Sequence, residues 1–226
     1  MEKKINRIIN VSKVCNIKRI SFVGGEPLLS PALFELIDLC NESKMECSLT
    51  TNGSLLSERI ISILEGKIAY LGLSVDSINR DTNIRIGRHV NERCLSRNQI
   101  IRISQALSEH NIPLKINRVI SKLNCDEKPS ILFDNLIFSR LKLINLYMNY
   151  GINDFSKSLQ LSQIDFQKVC AAYTKYAPEI ETEETMTNAY YIINSNGDVV
   201  ISRNGFLENH GNILSMSLKE LILKWS

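Results

Sequence analysis

No two cysteines in this chain stand at metal-ligand spacing. The six lie at Cys15, Cys40, Cys47, Cys94, Cys125 and Cys170, and neither C-x-x-C nor C-x-x-x-C occurs. In a reducing compartment, cysteines scattered in this way are small, half-buried hydrophobes rather than ligands or disulfide partners. Charge of one sign is also short. Lys plus Arg total 27 against 24 Asp plus Glu, and the resulting +3 is too mild for the concentrated basic face a nucleic-acid partner requires. No apolar run is long enough to span a bilayer. The opening MEKKINRIIN is charged and helically periodic at Ile5, Ile8 and Ile9, unlike the unbroken apolar core of a signal peptide. Internal repeats and low-complexity tracts are missing as well. These absences predict a cytoplasmic protein that works without a membrane or a nucleic acid, and they assign no metal ligands.

A length of 226 residues suits one domain with a small appendage, and 44% hydrophobic with 23% charged residues is a globular composition. Short β-type runs at 19–23, 46–51, 70–75, 114–120 and 141–148 alternate with amphipathic stretches at 3–15, 31–43, 55–65, 94–110 and 129–138. Such βαβα alternation predicts a parallel sheet, either doubly wound or closing toward a barrel. Ser30-Pro31 reads as a helix start with Pro at the first helical position, and Ser54 and Ser57 as caps for the next helix. Beyond residue 160 the pattern changes. A helix is expected over 162–176, an acidic flexible connector over 178–187, and a hairpin of 190–193 and 199–201 around Asn196-Gly197. A last helix is expected over 217–225.

Period-two reading of the strands separates two faces. Leu71, Leu73, Leu114, Ile116, Leu141 and Leu143 make a greasy side. Opposite them stand small, polar or cationic residues: Arg19 and Ser21; Ser48 and Thr50; Gly72, Ser74 and Asp76; Lys115 and Asn117; Arg140 and Lys142. A closed eight-stranded barrel fills its interior with branched apolar side chains, and a doubly wound sheet has near-continuous hydrophobic strands. Neither matches. One such lysine alone would sit at a solvent-exposed strand end, but four cations on one face need a partner. An open, partly closed barrel around a polar anionic ligand fits that face.

Gly24-Gly25-Glu26-Pro27 follows the first run directly. Two glycines permit a sharp bend and a close backbone approach to a ligand, and Pro27 stiffens the exit. The string SFVGGEPLL, between a strand and a helix, resembles the GGEP motif with which radical S-adenosylmethionine (SAM) enzymes bind SAM. TNGSL (51–55), LSVDSIN (73–79), IRIGR (84–88), LKINRVI (114–120), RLKLIN (140–145), NAYYIIN (188–194) and GNILSMSLKELI in the tail follow in order. Together they resemble the viperin-like antiviral nucleotide dehydratases, from about residue 15 to the end.

That resemblance implies a partial (β/α)6 barrel of the radical SAM type, here with its first strand missing, over residues 1–178, and a C-terminal hairpin and helix over 179–226 closing the nucleotide site. Its implied activity converts a ribonucleoside triphosphate of the CTP, GTP or UTP class to the 3′-deoxy-3′,4′-didehydro analogue, with SAM, a [4Fe-4S] cluster and an electron donor. Carried over by motif, Gly24, Gly25, Glu26 and Pro27 would hold the methionine amino end of SAM, with Ser74 and Arg88 at its carboxylate. Arg19, Lys115, Arg140 and Lys142 would clamp the triphosphate, with Ser21 beside them and Tyr190 packing near the nucleotide. Two departures stand out. The family pattern at the first run is closer to KINFSGGEP, where this chain has Arg19, Ser21 and Val23. The family's C-x-x-x-C-x-x-C has no counterpart here, so no catalytic or metal-binding residue is assigned and the chain as written is not expected to perform the radical step. Two alternatives stay open: a non-catalytic SAM- or nucleotide-binding relative, and another radical SAM branch such as a peptide-modifying maturase.

Overall fold

All five β-type runs form parallel strands in the computed structural model, which describes residues 2–147, 154–186, 190–203, 206–217 and 220. They are β1 (Arg19–Phe22), β2 (Glu46–Thr51), β3 (Tyr70–Ser74), β4 (Leu114–Ile120) and β5 (Arg140–Asn145), and a short β6 (Glu179–Glu181) completes an open sheet of order β1-β2-β3-β4-β5-β6. β6 corrects the expectation of a flexible connector. Its three residues, inward Glu179 and Glu181 on either side of outward Ile180, are too few to register as periodicity, yet they pair with Lys142, Leu143 and Ile144.

Helices cover the greasy face. They are α1 (Glu2–Val14), α2 (Leu33–Glu42), α3 (Glu58–Leu64), α4 (Arg80–Ile86), α5 (Arg97–Glu109), α6 (Pro129–Phe133), α7 (Gln163–Ala171) and α8 (Glu183–Met186). One apolar core runs from Ile5 and Ile9 of α1 through Leu49, Leu73, Ile116 and Leu143 of the strands to Phe166 of α7. The arrangement is a partial (β/α)6 barrel. Ser57 caps α3, accepting from Ile60 N at 3.3 Å, and Ser96 forms a capping box with Gln99 at the start of α5. Ser30-Pro31 does not begin α2. Its N-cap is Ala32, and Pro27 instead opens a 3-10 turn, Pro27–Leu29, whose N-cap is Glu26. α4 has no counterpart in the expected helices: only Ile84 and Ile86 interrupt its polar run, while Asn79 caps it by accepting from Asp81 N and Thr82 N.

The C-terminal part is a separate antiparallel sheet of β7 (Tyr191–Ile193), β8 (Asp198–Arg203) and β9 (Phe206–Asn212). The expected hairpin is present and gains a third strand. Val199 and Ile213 pack with Val11 of α1 in a second, smaller core. The helix expected over 217–225 falls almost entirely outside the described residues. None of the described helices is long and apolar enough to cross a membrane.

Candidate functional site

The C-terminal ends of β1, β2 and β3 converge on a cavity of about 270 Å³ lined by Gly25, Asn52, Ser74, Asp76, Arg88 and His89, among others. The turn after β1 is fixed by Glu26. Its carboxylate accepts from Leu28 N at 3.1 Å within the turn, from Thr51 Oγ1 at 2.7 Å at the end of β2, and from Asn52 N at 2.8 Å just past it. Gly24 takes φ +132°, a conformation that side-chain-bearing residues rarely adopt, and the space where a Cβ would stand is open. The bend therefore needs glycine for its backbone angle, and the gap keeps the peptide approachable.

Asp76, 2% exposed, anchors the other wall. Its Oδ1 accepts from Val119 N at 2.8 Å, and its Oδ2 takes the Arg88 Nε–H in an ion pair. The Asn124 amide donates to both Asp76 O and Val119 O at 2.8 Å, tying the ends of β3 and β4 together. Arg88 is thus held by one edge of its guanidinium, with the side chain still about one-third exposed. Behind this wall, on the greasy face, lies Arg118. It is 1% exposed, paired with Glu127 Oε2 at 2.9 Å and set over the Tyr173 ring. Glu127 also accepts from the Ser77 hydroxyl, so this buried charge braces the loop that carries Asp76.

A second cluster occupies the N-terminal half of the same concave face. Arg19 pairs with Glu46 at 2.7 Å, Lys115 with Glu179 Oε2 at 3.2 Å, and Arg140 Nε with Glu179 Oε1 at 2.6 Å. Lys142 pairs with Glu181 and donates to Tyr190 Oη at 3.1 Å, and that hydroxyl donates onward to Glu181 Oε2 at 3.0 Å. Ser21 Oγ and Ser48 Oγ lie 2.7 Å apart beneath them. Four cations on a half-buried surface thus meet three carboxylates, which offset their mutual repulsion.

The titration behaviour follows from these contacts. Burial pushes the Lys115 ammonium below its ordinary value, with neighbouring Lys142 pushing the same way and Glu179 opposing. Lys142 is buried to a similar degree, but its bonds to Glu181 and Tyr190 outweigh burial and hold it above the ordinary value. Glu179 resists burial through Arg140 and Lys115 and stays below the usual carboxylate value. Burial raises the Tyr190 phenol.

The sequence-expected residues therefore fall into two groups. Gly25, Ser74 and Arg88 line the cavity, with Gly24, Glu26 and Pro27 in the turn beside it. Arg19, Ser21, Lys115, Arg140, Lys142 and Tyr190 gather in the charged cluster. Sequence reasoning missed their counter-charges. Glu46 stands directly across from Arg19 in the β1–β2 register, a signal readable once the two runs are aligned. Glu179 and Glu181 reach Lys115, Arg140 and Lys142 through the β5–β6 pairing, which no local pattern announces.

An iron–sulfur cluster of the kind the family resemblance implies does not fit these residues. Among the described residues no three His, Cys, Asp or Glu side chains converge as a metal site. Cys40 and Cys47 are buried in the core, Cys15 packs against the second core, and burial raises the Cys170 thiol to about 11. Ligand thiolates need the opposite shift.

Residues 2–128 match the Radical SAM superfamily. Among curated relatives, an S-adenosylmethionine-dependent nucleotide dehydratase of Flammeovirga pacifica is 31% identical over 205 residues, covering 90% of this chain and 71% of its own. One of the same name from Selenomonas ruminantium is 30% identical, covering 80% and 68%. Of solved structures, anSMEcpe with bound AdoMet and Cp18Cys peptide superposes with a TM-score of 0.70 at 20% identity, over 98% of this chain and 72% of that one. Streptococcus suis SuiB superposes with a TM-score of 0.69 at 18% identity, over 97% and 59%.

Proposed function

This chain belongs to the radical SAM superfamily and, within it, to the S-adenosylmethionine-dependent nucleotide dehydratases, and on that premise we propose that it binds SAM in the cavity after β1–β3 and a ribonucleoside triphosphate on the charged concave face. In this reading the Gly24–Gly25 backbone and the Glu26 carboxylate meet the amino end of SAM, while Ser74 and the free edge of the Arg88 guanidinium meet its carboxylate. Arg19, Lys115, Arg140 and Lys142 take the triphosphate with Glu179 and Glu181 of β6 beside them, and the C-terminal extension closes the site through Tyr190.

The observation that carries the reading is the cation cluster with its displaceable carboxylates. Four cations from three strands, one of them 7% exposed, are paired with three carboxylates that a polyanion would displace. A triphosphate supplies several negative oxygens on a short chain, and ammonium and guanidinium groups bind such oxygens by charge-assisted hydrogen bonds. The substrate class proposed is CTP, GTP or UTP, and the reaction its dehydration to the 3′-deoxy-3′,4′-didehydro nucleotide in antiviral defence, with an external electron donor. That reaction requires a [4Fe-4S] cluster, and no thiolate set among the described residues receives one. The same observation favours a second reading, a relative that binds SAM or nucleotide without turning it over.

Two measurements separate these readings. Calorimetric titration of the full chain with CTP, GTP and UTP tests the site; binding to none of them overturns it. Anaerobic reconstitution with iron and sulfide then discriminates enzyme from binder, since a brown [4Fe-4S] chromophore supports turnover and a colourless protein that still binds nucleotide supports the second reading.

A further inference from the structure

Tyr70, the first residue of β3, lies at the centre of the charged cluster. Arg19 Cζ from β1 stands 5.1 Å from its ring centroid, Arg140 Cζ from β5 5.8 Å, and Lys115 Nζ from β4 5.9 Å. Ser48 sits directly across in the β2–β3 register, with Ser21 bonded to it. Burial pushes the phenol up, but the Ser48 hydroxyl and the Lys115 and Arg19 charges outweigh it and bring the group below its ordinary value. Both the face and the hydroxyl end of this residue therefore sit among positive and donor groups.

Three cations drawn from strands on both sides of β3 repel one another. The carboxylates that separate them, Glu46 and Glu179, are the partners a phosphate would replace. The aromatic ring is not displaced by an anion, and its negative face attracts cations directly. A Tyr side chain also has few rotatable bonds, whereas the arginines, 38% and 45% exposed, are free to swing into solvent without a platform. We propose that Tyr70 is a positioning residue for polyphosphate binding: its ring holds Arg19, Lys115 and Arg140 facing one point, so that the clamp stays assembled while its carboxylates exchange for phosphate. The inference rests on the nucleotide reading above.

The test compares Tyr70→Phe and Tyr70→Leu with the unaltered chain by calorimetry, using inorganic tripolyphosphate and CTP as probes. The unaltered chain is expected to bind both. Tyr70→Phe, which keeps the ring, should stay within about threefold, and Tyr70→Leu should bind about tenfold more weakly. Tyr70→Met, of comparable bulk without a ring, carries the same expectation if the leucine variant does not fold. Unchanged affinity in the ring-less variants overturns the proposal while leaving the nucleotide reading standing. An equal loss in Tyr70→Phe overturns it too, by moving the effect to the hydroxyl. Failure of the unaltered chain to bind either probe overturns both.

Discussion

Lys115 and Glu179, 64 positions apart in the chain, meet at 3.2 Å on the concave face, and the lysine is almost fully buried there. Burying an ammonium is costly unless it is paired, and Glu179 supplies that pair in the ligand-free protein. Replacing it removes the most enclosed cation of the clamp. Lys115→Ala is expected to weaken nucleoside triphosphate binding at least tenfold, about 1.4 kcal/mol or more, as read by calorimetry. Unchanged affinity would place the nucleotide elsewhere.

Removing the other partner should act in two directions. Glu179→Gln leaves Lys115 and Arg140 without their shared carboxylate, and the ligand-free protein should lose roughly 2–8 °C in Tm. The same change removes the competitor that phosphate must displace, so the Tm gain on adding tripolyphosphate should exceed that of the unaltered chain. Thermal scans with and without the anion check both, and a smaller gain would show that Glu179 assists binding rather than competing.

Asp76→Asn isolates the other site. The amide still accepts from Val119 N, but the ion pair to Arg88 is lost and the guanidinium is free to turn away from the cavity. SAM affinity should fall about tenfold, while tripolyphosphate affinity stays as it was. Equilibrium dialysis with each ligand measures the split, and a parallel loss of both would point to collapse of the sheet end rather than to release of Arg88.

Much of this was legible before any coordinates. Alternation exposed the inward residues of β1 to β5, and the GGEP string located the turn beside the cavity. What remained hidden was tertiary. Glu179 and Glu181 acquire meaning only when β6 docks beside β5, and Tyr70 reads as an ordinary strand residue until three cations from neighbouring strands surround it. Arg118 breaks the two-face rule outright. It shares the helix-covered side with Leu114 and Ile116, because Glu127 and Tyr173 supply the partners that burial demands. Its Nε has no hydrogen-bond partner among the described residues.

The ion pairs also set a pH window. Glu179 has its pKa depressed in the folded chain, so its contribution is present above the ordinary value of 4.5 and is lost as pH falls through the lower folded value. Lys142 has its pKa raised, so its contribution is present below the ordinary 10.5 and is lost as pH rises through the higher folded value. Tm against pH should therefore show a plateau with a fall on each side. Glu179→Gln should flatten part of the acid fall and leave the alkaline one, and an unaltered acid limb would deny the pair its part in stability.

Gly72 gives a packing test. A Cβ there would stand 2.7 Å from Thr50 Oγ1 and 3.1 Å from Asn117 Nδ2, both on neighbouring strands. Gly72→Ala should cost about 1–3 kcal/mol in urea unfolding through overpacking. A neutral result would show that Thr50 and Asn117 rotate away without penalty.

β3 is also a ruler. Tyr70 opens it among the cations and Ser74 closes it at the cavity wall, four residue steps apart, about 13 Å at the rise of an extended strand. A molecule anchored by its phosphates at the first mark is carried a fixed length toward the second. Inserting or deleting a single residue between the two would turn one end of the strand to the opposite face, and the two marks would no longer serve one molecule.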